Sequence, residues 1–126
     1  MSLDEYLSPE EFQSLQFIKI DIQGCEPQML AGMKNHLQYH RPPILIEYSP
    51  SHIYRCGNSP FEIFAFIEKY KYIPYRVHDE KGSLPSDILE PLSVPQLFNY
   101  TGDLKNVEYG IDLLLVPEGY HWTPPT

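Results

Sequence analysis

The chain has 126 residues, 42% hydrophobic and 21% charged, a balance that excludes a disordered segment and fits one globular domain. A domain of that length buries roughly two thirds of its unfolded surface, so a core is within reach. The net charge is −8, with only nine basic residues and no cluster among them. This argues against a nucleic-acid backbone, and no apolar run nears the ~20 residues of a membrane span.

The opening, "MSLDEYLSPEE", is acidic and has no signal-peptide core. It carries two Ser-x-x-Glu boxes, Ser2/Glu5 and Ser8/Glu11, and a third lies at Ser59/Glu62. In each, the hydroxyl can accept an early helical N–H while the glutamate reaches back. Pro9 and Pro60 stand at first helical positions, where a missing N–H costs nothing. The boxes predict helical turns over 3–7 and 9–14 and a firmer helix over 60–70. The apolar stripe of that helix is Phe61, Phe64, Ala65 and Ile67, broadened by Phe66.

Residues 17–22, "FIKIDI", predict a strand covered on both faces. Pro27 opens a helix through about Tyr39, with Met29, Leu30, Met33 and Leu37 on one side. "RPP" at 41–43 stops the chain, and "ILIEY" at 44–48 is a second buried strand. "YIPYRV" at 72–77 is a third, placed near an edge by Pro74. Residues 79–106, rich in Pro, Ser, Gly and Asp, form a long excursion with one helical turn near 93–98. "GIDLLLVP" at 110–117 is a fourth strand, and the tail "EGYHWTPPT" is extended. This alternation indicates a single α/β domain with a parallel core and right-handed crossovers. The "QGCE" turn lies at the carboxyl end of the first strand, where open α/β sheets bind ligands.

Charge inside a covered strand calls for a partner or a task. Side chains alternate, so Phe17, Lys19 and Asp21 share one face and Ile18, Ile20 and Ile22 the other. Lys19 and Asp21 are then about 6–7 Å apart, and Glu47 on a neighbouring strand is about one 4.8 Å strand spacing away. Two readings stay open: a structural ion pair of Lys19 with Asp21, Glu47 or both, or a polar site in which Asp21 faces a ligand.

Of the two cysteines, Cys25 is either a nucleophile at a helix N-terminus or a small buried residue in a tight turn. Two cysteines are too few for a disulfide framework, and a reducing cytoplasm is the expected location.

"FIKIDIQGCEPQMLAGM", "RPPILIEYSP" and "GIDLLLVP" together resemble the C-terminal half of the FkbM-type methyltransferases. That family shows an apolar–Lys–apolar–Asp–apolar–Glu–Gly–x–Glu stretch followed by Leu-x-Gly. Lys19, Asp21, Gly24, Glu26, Leu30 and Gly32 occupy the matching positions, and Gln23 stands where Glu is usual. "SLDEYL" also resembles the family's lead into this strand, so the resemblance runs along nearly the whole chain.

The resemblance implies half of a doubly wound, Rossmann-like methyltransferase sheet of about four strands, mostly parallel. The last strand would be antiparallel and inserted between the two before it. It also implies transfer of a methyl group from S-adenosylmethionine to a hydroxyl of a sugar or natural product. Asp21, Gly24 and Glu26 would then border the cofactor.

In-line methyl transfer needs alignment of donor and acceptor and a base for the acceptor proton. Asp21 is the first candidate base. His52 in "EYSPSHIY" is the second, or else an exposed loop histidine. Glu26 has a plainer role available, a carboxylate facing a helix dipole. Glu47, Tyr48 and Tyr54 would wall the acceptor pocket.

Asp21, Glu26 and Glu47 offer oxygens to magnesium, but no compact acidic motif supports a metal, and Cys and His lack zinc spacing. The seven glycines include no G-x-G, so the cofactor-cradling half is expected to be missing, making 1–126 a partial domain. The expected partners are a small-molecule acceptor and either a complementing N-terminal half or a second copy, with no nucleic acid and no membrane. The alternative is a non-catalytic α/β interaction module that pairs through an exposed 17–22 strand.

Overall fold

Ser2 and Ser8 cap two short helices, α1 (Leu3–Tyr6) and α2 (Pro9–Gln13). The Ser8 hydroxyl accepts the Glu11 N–H at 3.1 Å, and the Glu11 carboxylate accepts the Ser8 N–H at 2.9 Å. Two donors that a helix start leaves open are thereby satisfied. The computed structural model describes residues 2–78, 89–104 and 110–121.

The next helix, α3 (Glu26–Ala31), is much shorter than the sequence predicts. The chain breaks at Gly32 and recovers only one 3₁₀ turn, His36–Gln38. The cause is α1, which takes over the backbone groups a longer helix would use. The Asp4 N–H donates to the Gly32 carbonyl at 2.9 Å, and the Asp4 carboxylate accepts the N–H groups of Asn35 and His36, each at 3.0 Å. A Cβ at position 32 would meet the Ser2 Cβ at 2.9 Å, so the close approach favours glycine there. His36 stacks on Phe12 with ring centres 4.7 Å apart and closes this corner.

Among the described residues, five strands form one sheet: β1 (Ile18–Ile20), β2 (Ile44–Tyr48), β3 (Tyr72–Val77), β4 (Leu89–Pro91) and β5 (Ile111–Pro117). Their order is β1-β2-β5-β3-β4. β1 pairs with β2 in parallel, whereas β5 is antiparallel to both β2 and β3. The last strand is thus inserted between the two main strands before it, as the resemblance implied. β1, β2 and β3 run in one direction and β5 against them, as expected for those four strands; because β5 lies between β2 and β3, β1–β2 is the one hydrogen-bonded parallel pair among the described residues.

β4 was not foreseen; it pairs with the last three residues of β3 and gives that side of the sheet a short edge. Pro74 pairs with β5 just before that contact begins, which matches its expected place near an edge.

α5 (Phe61–Lys69) forms as expected, and α4 (Pro50–Arg55) replaces a predicted loop. Ser49-Pro50, a polar residue followed by proline at the first helical position, was the available signal. α6 (Val94–Leu104) runs eleven residues where one turn was expected. It is opened by a Ser93/Gln96 box: Ser93 N–H donates to the Gln96 side chain at 2.8 Å, and Gln96 N–H to the Ser93 hydroxyl at 3.2 Å. The rest of the predicted excursion, 79–88 and 105–106, and tail residues 122–126 lie outside the described residues.

The core lies on one face of the sheet. Ile20, Ile44, Ile46, Tyr48, Tyr72, Leu113 and Leu115 pack in a single cluster with Leu30, Met33 and Leu37 and with Ile53, Ile63, Phe64 and Ile67. Expected burial of β1 on both faces is corrected here: Lys19 and Asp21 are exposed, and β1 is an edge strand of three residues. Phe17 and Ile22, read as strand residues, flank it and are 49% and 39% exposed. No helix of the described residues is long and apolar enough to cross a membrane.

Candidate functional site

The chain leaves β1 through Asp21 and Ile22 and turns sharply at Gln23 (φ 53°) and Gly24 (φ 101°). Glu26 holds that turn. Its carboxylate accepts the Gly24 N–H at 2.8 Å and the Ile22 N–H at 3.0 Å, and its side chain is almost wholly buried. Two charge-assisted bonds of this kind compensate the burial of a carboxylate. Gly24 rests on α4: a Cβ there would lie 2.2 Å from the His52 carbonyl oxygen. Asn58 adds a tie from the other side, its amide donating to the Gln28 side chain at 2.7 Å. The start of α3 is therefore fixed against α4, which itself begins directly after β2.

This seating brings the carboxyl ends of β1 and β2 together above the exposed face of the sheet. Register places Lys19 beside Leu45, and Glu47 opposite Asp112 of β5. A cleft of about 240 Å³ opens there, lined by Lys19, Ile20, Asp21, Leu45, Ile46, Glu47 and Asp112. Glu47 is half-buried, and loss of hydration raises its pKa above the ordinary glutamate value. The negative charges of Asp21 and Asp112 push the same way, with a smaller push from Glu26, while His52 opposes them. These are the two standard causes of a raised carboxyl pKa, burial and like charge. The cleft is thus acidic, and Glu47 keeps a proton to higher pH than usual.

His52 is half-buried on α4, not an exposed loop residue. Its Nδ1 is shut away from solvent and has no hydrogen-bond partner among the described residues. A buried polar atom without a partner costs free energy, so one in a native fold calls for an explanation.

The other residues singled out by sequence behave differently. Lys19 lines the cleft, but among the described residues it closes no ion pair with Asp21 or Glu47, because its exposed side chain keeps its own hydration. Tyr48 is fully buried on the core face, its ring 6.1 Å from that of Phe64, so it turns away from the cleft instead of walling it. Alternation accounts for this: Glu47 faces the cleft, and its neighbour must face the core. Tyr54 is exposed on α4. Glu26 has both oxygens engaged within the turn, and Gly24 is pressed against the backbone of α4, so neither presents a group to a ligand. Asp112 was missed. The signal was in "GID": once the last strand is inserted beside β2, its aspartate lies opposite Glu47.

No group of three or more His, Cys, Asp or Glu suited to a metal ion occurs among the described residues. A family model, the methyltransferase FkbM domain, matches residues 1–74, more than half of the chain. The matched span contains β1, the Glu26-held turn, β2 and α4, with Asp21, Glu47 and His52, and it ends before β5 and Asp112. No curated protein and no solved structure matches the chain.

Proposed function

This chain belongs to the FkbM methyltransferase domain family, and on that premise we propose that its acidic cleft serves S-adenosylmethionine-dependent O-methylation of a small hydroxyl compound, a sugar or natural product. One observation carries the reading: Asp21 and Glu47, at the carboxyl ends of the adjacent parallel strands β1 and β2, converge in one cleft with Asp112 from the start of the antiparallel β5, within electrostatic reach of His52. Carboxyl ends of strands are where open α/β sheets take ligands.

The residues present fit the reacting end of the cofactor. An excess of carboxylates, which adds to lost hydration in raising the pKa of Glu47, complements a sulfonium and an amino group. When bound, the cofactor supplies a methyl group made electrophilic by the positive sulfur. Asp21, the exposed carboxylate at the mouth of the cleft, orients the acceptor hydroxyl and receives its proton. Glu47, half-buried beside Asp21, forms the wall against which the acceptor is held. His52, the second candidate base, does not line the cleft and its Nδ1 is shut away from solvent, so Asp21 is the base this reading rests on. Glu26 and Gly24 act one step back: they set the turn from which Asp21 projects, rather than touching cofactor.

The test is calorimetric titration of S-adenosylhomocysteine into the wild-type chain and into Asp21→Asn, with sedimentation velocity on both. Binding that the substitution weakens supports this reading. A second reading, a non-catalytic module, has one observation in its favour: β1 is a short edge flanked by exposed Phe17 and Ile22, a template for pairing with another chain. No binding, together with self-association that Ile22→Lys abolishes, favours that second reading.

A further inference from the structure

Cys25 and Cys56 stand 31 residues apart in sequence, yet their sulfurs lie 3.2 Å apart. Cys25 precedes α3 within the Glu26-held turn, and Cys56 ends α4. Both are free thiols; Cys25 is half-buried and Cys56 exposed. A second contact holds Cys56 in place, its Sγ 3.4 Å from the Gln23 carbonyl oxygen. The sulfurs are brought together by the seating of Gly24 on the His52 backbone, not by any chemistry of their own. An approach of about 1.2 Å, within reach of a rotation at either side chain, takes them to bonding distance.

We propose that Cys25 and Cys56 form a reversible disulfide site, oxidised by a low-molecular-weight disulfide, that clamps the turn after β1 to the end of α4. Exposure decides the order of events. The Cys56 thiolate attacks the external disulfide, forming a mixed disulfide and releasing one small thiolate. The Cys25 thiolate then attacks Cys56 Sγ, the protein disulfide forms, and the second small thiol leaves. Two protein thiols and one small disulfide thus yield one protein disulfide and two small thiols. The Cys25 contact raises the pKa of Cys56, so the first step quickens as pH rises.

The clamp joins the two segments that bear Asp21 and His52. It does not depend on what the cleft binds, because it follows from the packing of the turn on α4.

The experiment equilibrates the full chain with mixtures of oxidised and reduced glutathione, quenches with acid and maps the peptides without reduction. The expected result is a cross-linked Cys25–Cys56 peptide in monomeric protein and a melting temperature raised by roughly 5–15 °C, both reversed by dithiothreitol. Cys25→Ser is expected to stop at a glutathione adduct on Cys56. A wild-type chain that carries only that adduct, forms an intermolecular Cys56–Cys56 link, or stays reduced in oxidised glutathione overturns the proposal. Should Cys25→Ser fold poorly, Cys56→Ser gives the complementary reading: no adduct at the half-buried Cys25, whereas ready adduct formation there overturns the proposed order of attack.

Discussion

The carboxylate of Glu26 accepts the backbone N–H of Gly24 at 2.8 Å from within a side chain only 1% exposed. With the second bond, to the Ile22 N–H at 3.0 Å, this one residue closes the turn that follows β1. Glu26→Ala leaves the buried Gly24 N–H and the part-buried Ile22 N–H without an acceptor and is expected to cost about 2–3 kcal/mol, measured by urea unfolding. Glu26→Gln retains one acceptor and turns an amide N–H toward the other donor, so its loss falls between alanine and wild type. A cost for alanine within the error of the measurement removes the structural role assigned to this glutamate.

Gly24→Ala tests the other half of the same turn. The new methyl group would sit 2.2 Å from the His52 carbonyl oxygen, at φ +101°, where an L-residue is strained whatever the space. Overpacking and backbone strain together predict a loss of about 2–4 kcal/mol. Gly57→Ala is the control: its φ is also positive, at +82°, but nothing lies within 4 Å of a Cβ there. The control is therefore expected to lose only the strain part, and equal losses at both positions would rule out the clash as the cause.

Much of this was legible in the sequence, and the reasons are specific. The Ser8/Glu11 box, the strand at Ile44–Tyr48 and the helix Phe61–Lys69 rest on local signals, capping chemistry and apolar periodicity, and these needed no tertiary help. The failures arose where distant segments compete. The helix predicted through Tyr39 stops at Gly32 because Asp4, far away in sequence, takes its backbone donors. Coverage of β1 on both faces could not be read from "FIKIDI", since nothing in those six residues says which strands lie alongside. At the site, Asp21 and Glu47 followed from strand alternation, but Tyr48 was assigned to the wrong face against that same rule. Asp112 needed the position of β5, which is a property of topology and not of spacing.

Glu47 gives a pH test whose sign is fixed. Its folded pKa is raised above the ordinary 4.5, chiefly by lost hydration and then by Asp21 and Asp112. Between the unfolded and folded values the native state binds more protons, so stability falls as pH rises through the folded pKa. The penalty is absent below the unfolded value and fully present above the folded one. Glu47→Gln removes it, so the variant is expected to melt higher than wild type at pH 7, with the advantage gone at pH 4. Paired melting curves at the two pH values check this, and the same difference at both would mean that ionisation of Glu47 is not involved.

Asp21→Asn separates chemistry from architecture. Asp21 is exposed, forms no bond that shapes the turn, and projects into the cleft from a backbone fixed by Glu26 and Gly24. The substitution keeps the shape and removes the charge and the basicity. Unfolding by urea is therefore expected to match wild type closely, in contrast with Glu26→Ala. Loss of a positioned base typically lowers rate by about 10²–10⁴-fold, and that is the range expected for methyl transfer to an acceptor hydroxyl. Glu47 should respond as well: with one of its negative neighbours gone, its raised pKa moves back toward the ordinary value, and the pH 7 gain from Glu47→Gln shrinks in the Asp21→Asn background. That coupling needs no substrate to observe. Additive effects of the two substitutions on melting would mean that Asp21 and Glu47 do not share a cleft, and the proton-transfer role given to Asp21 would fall with it.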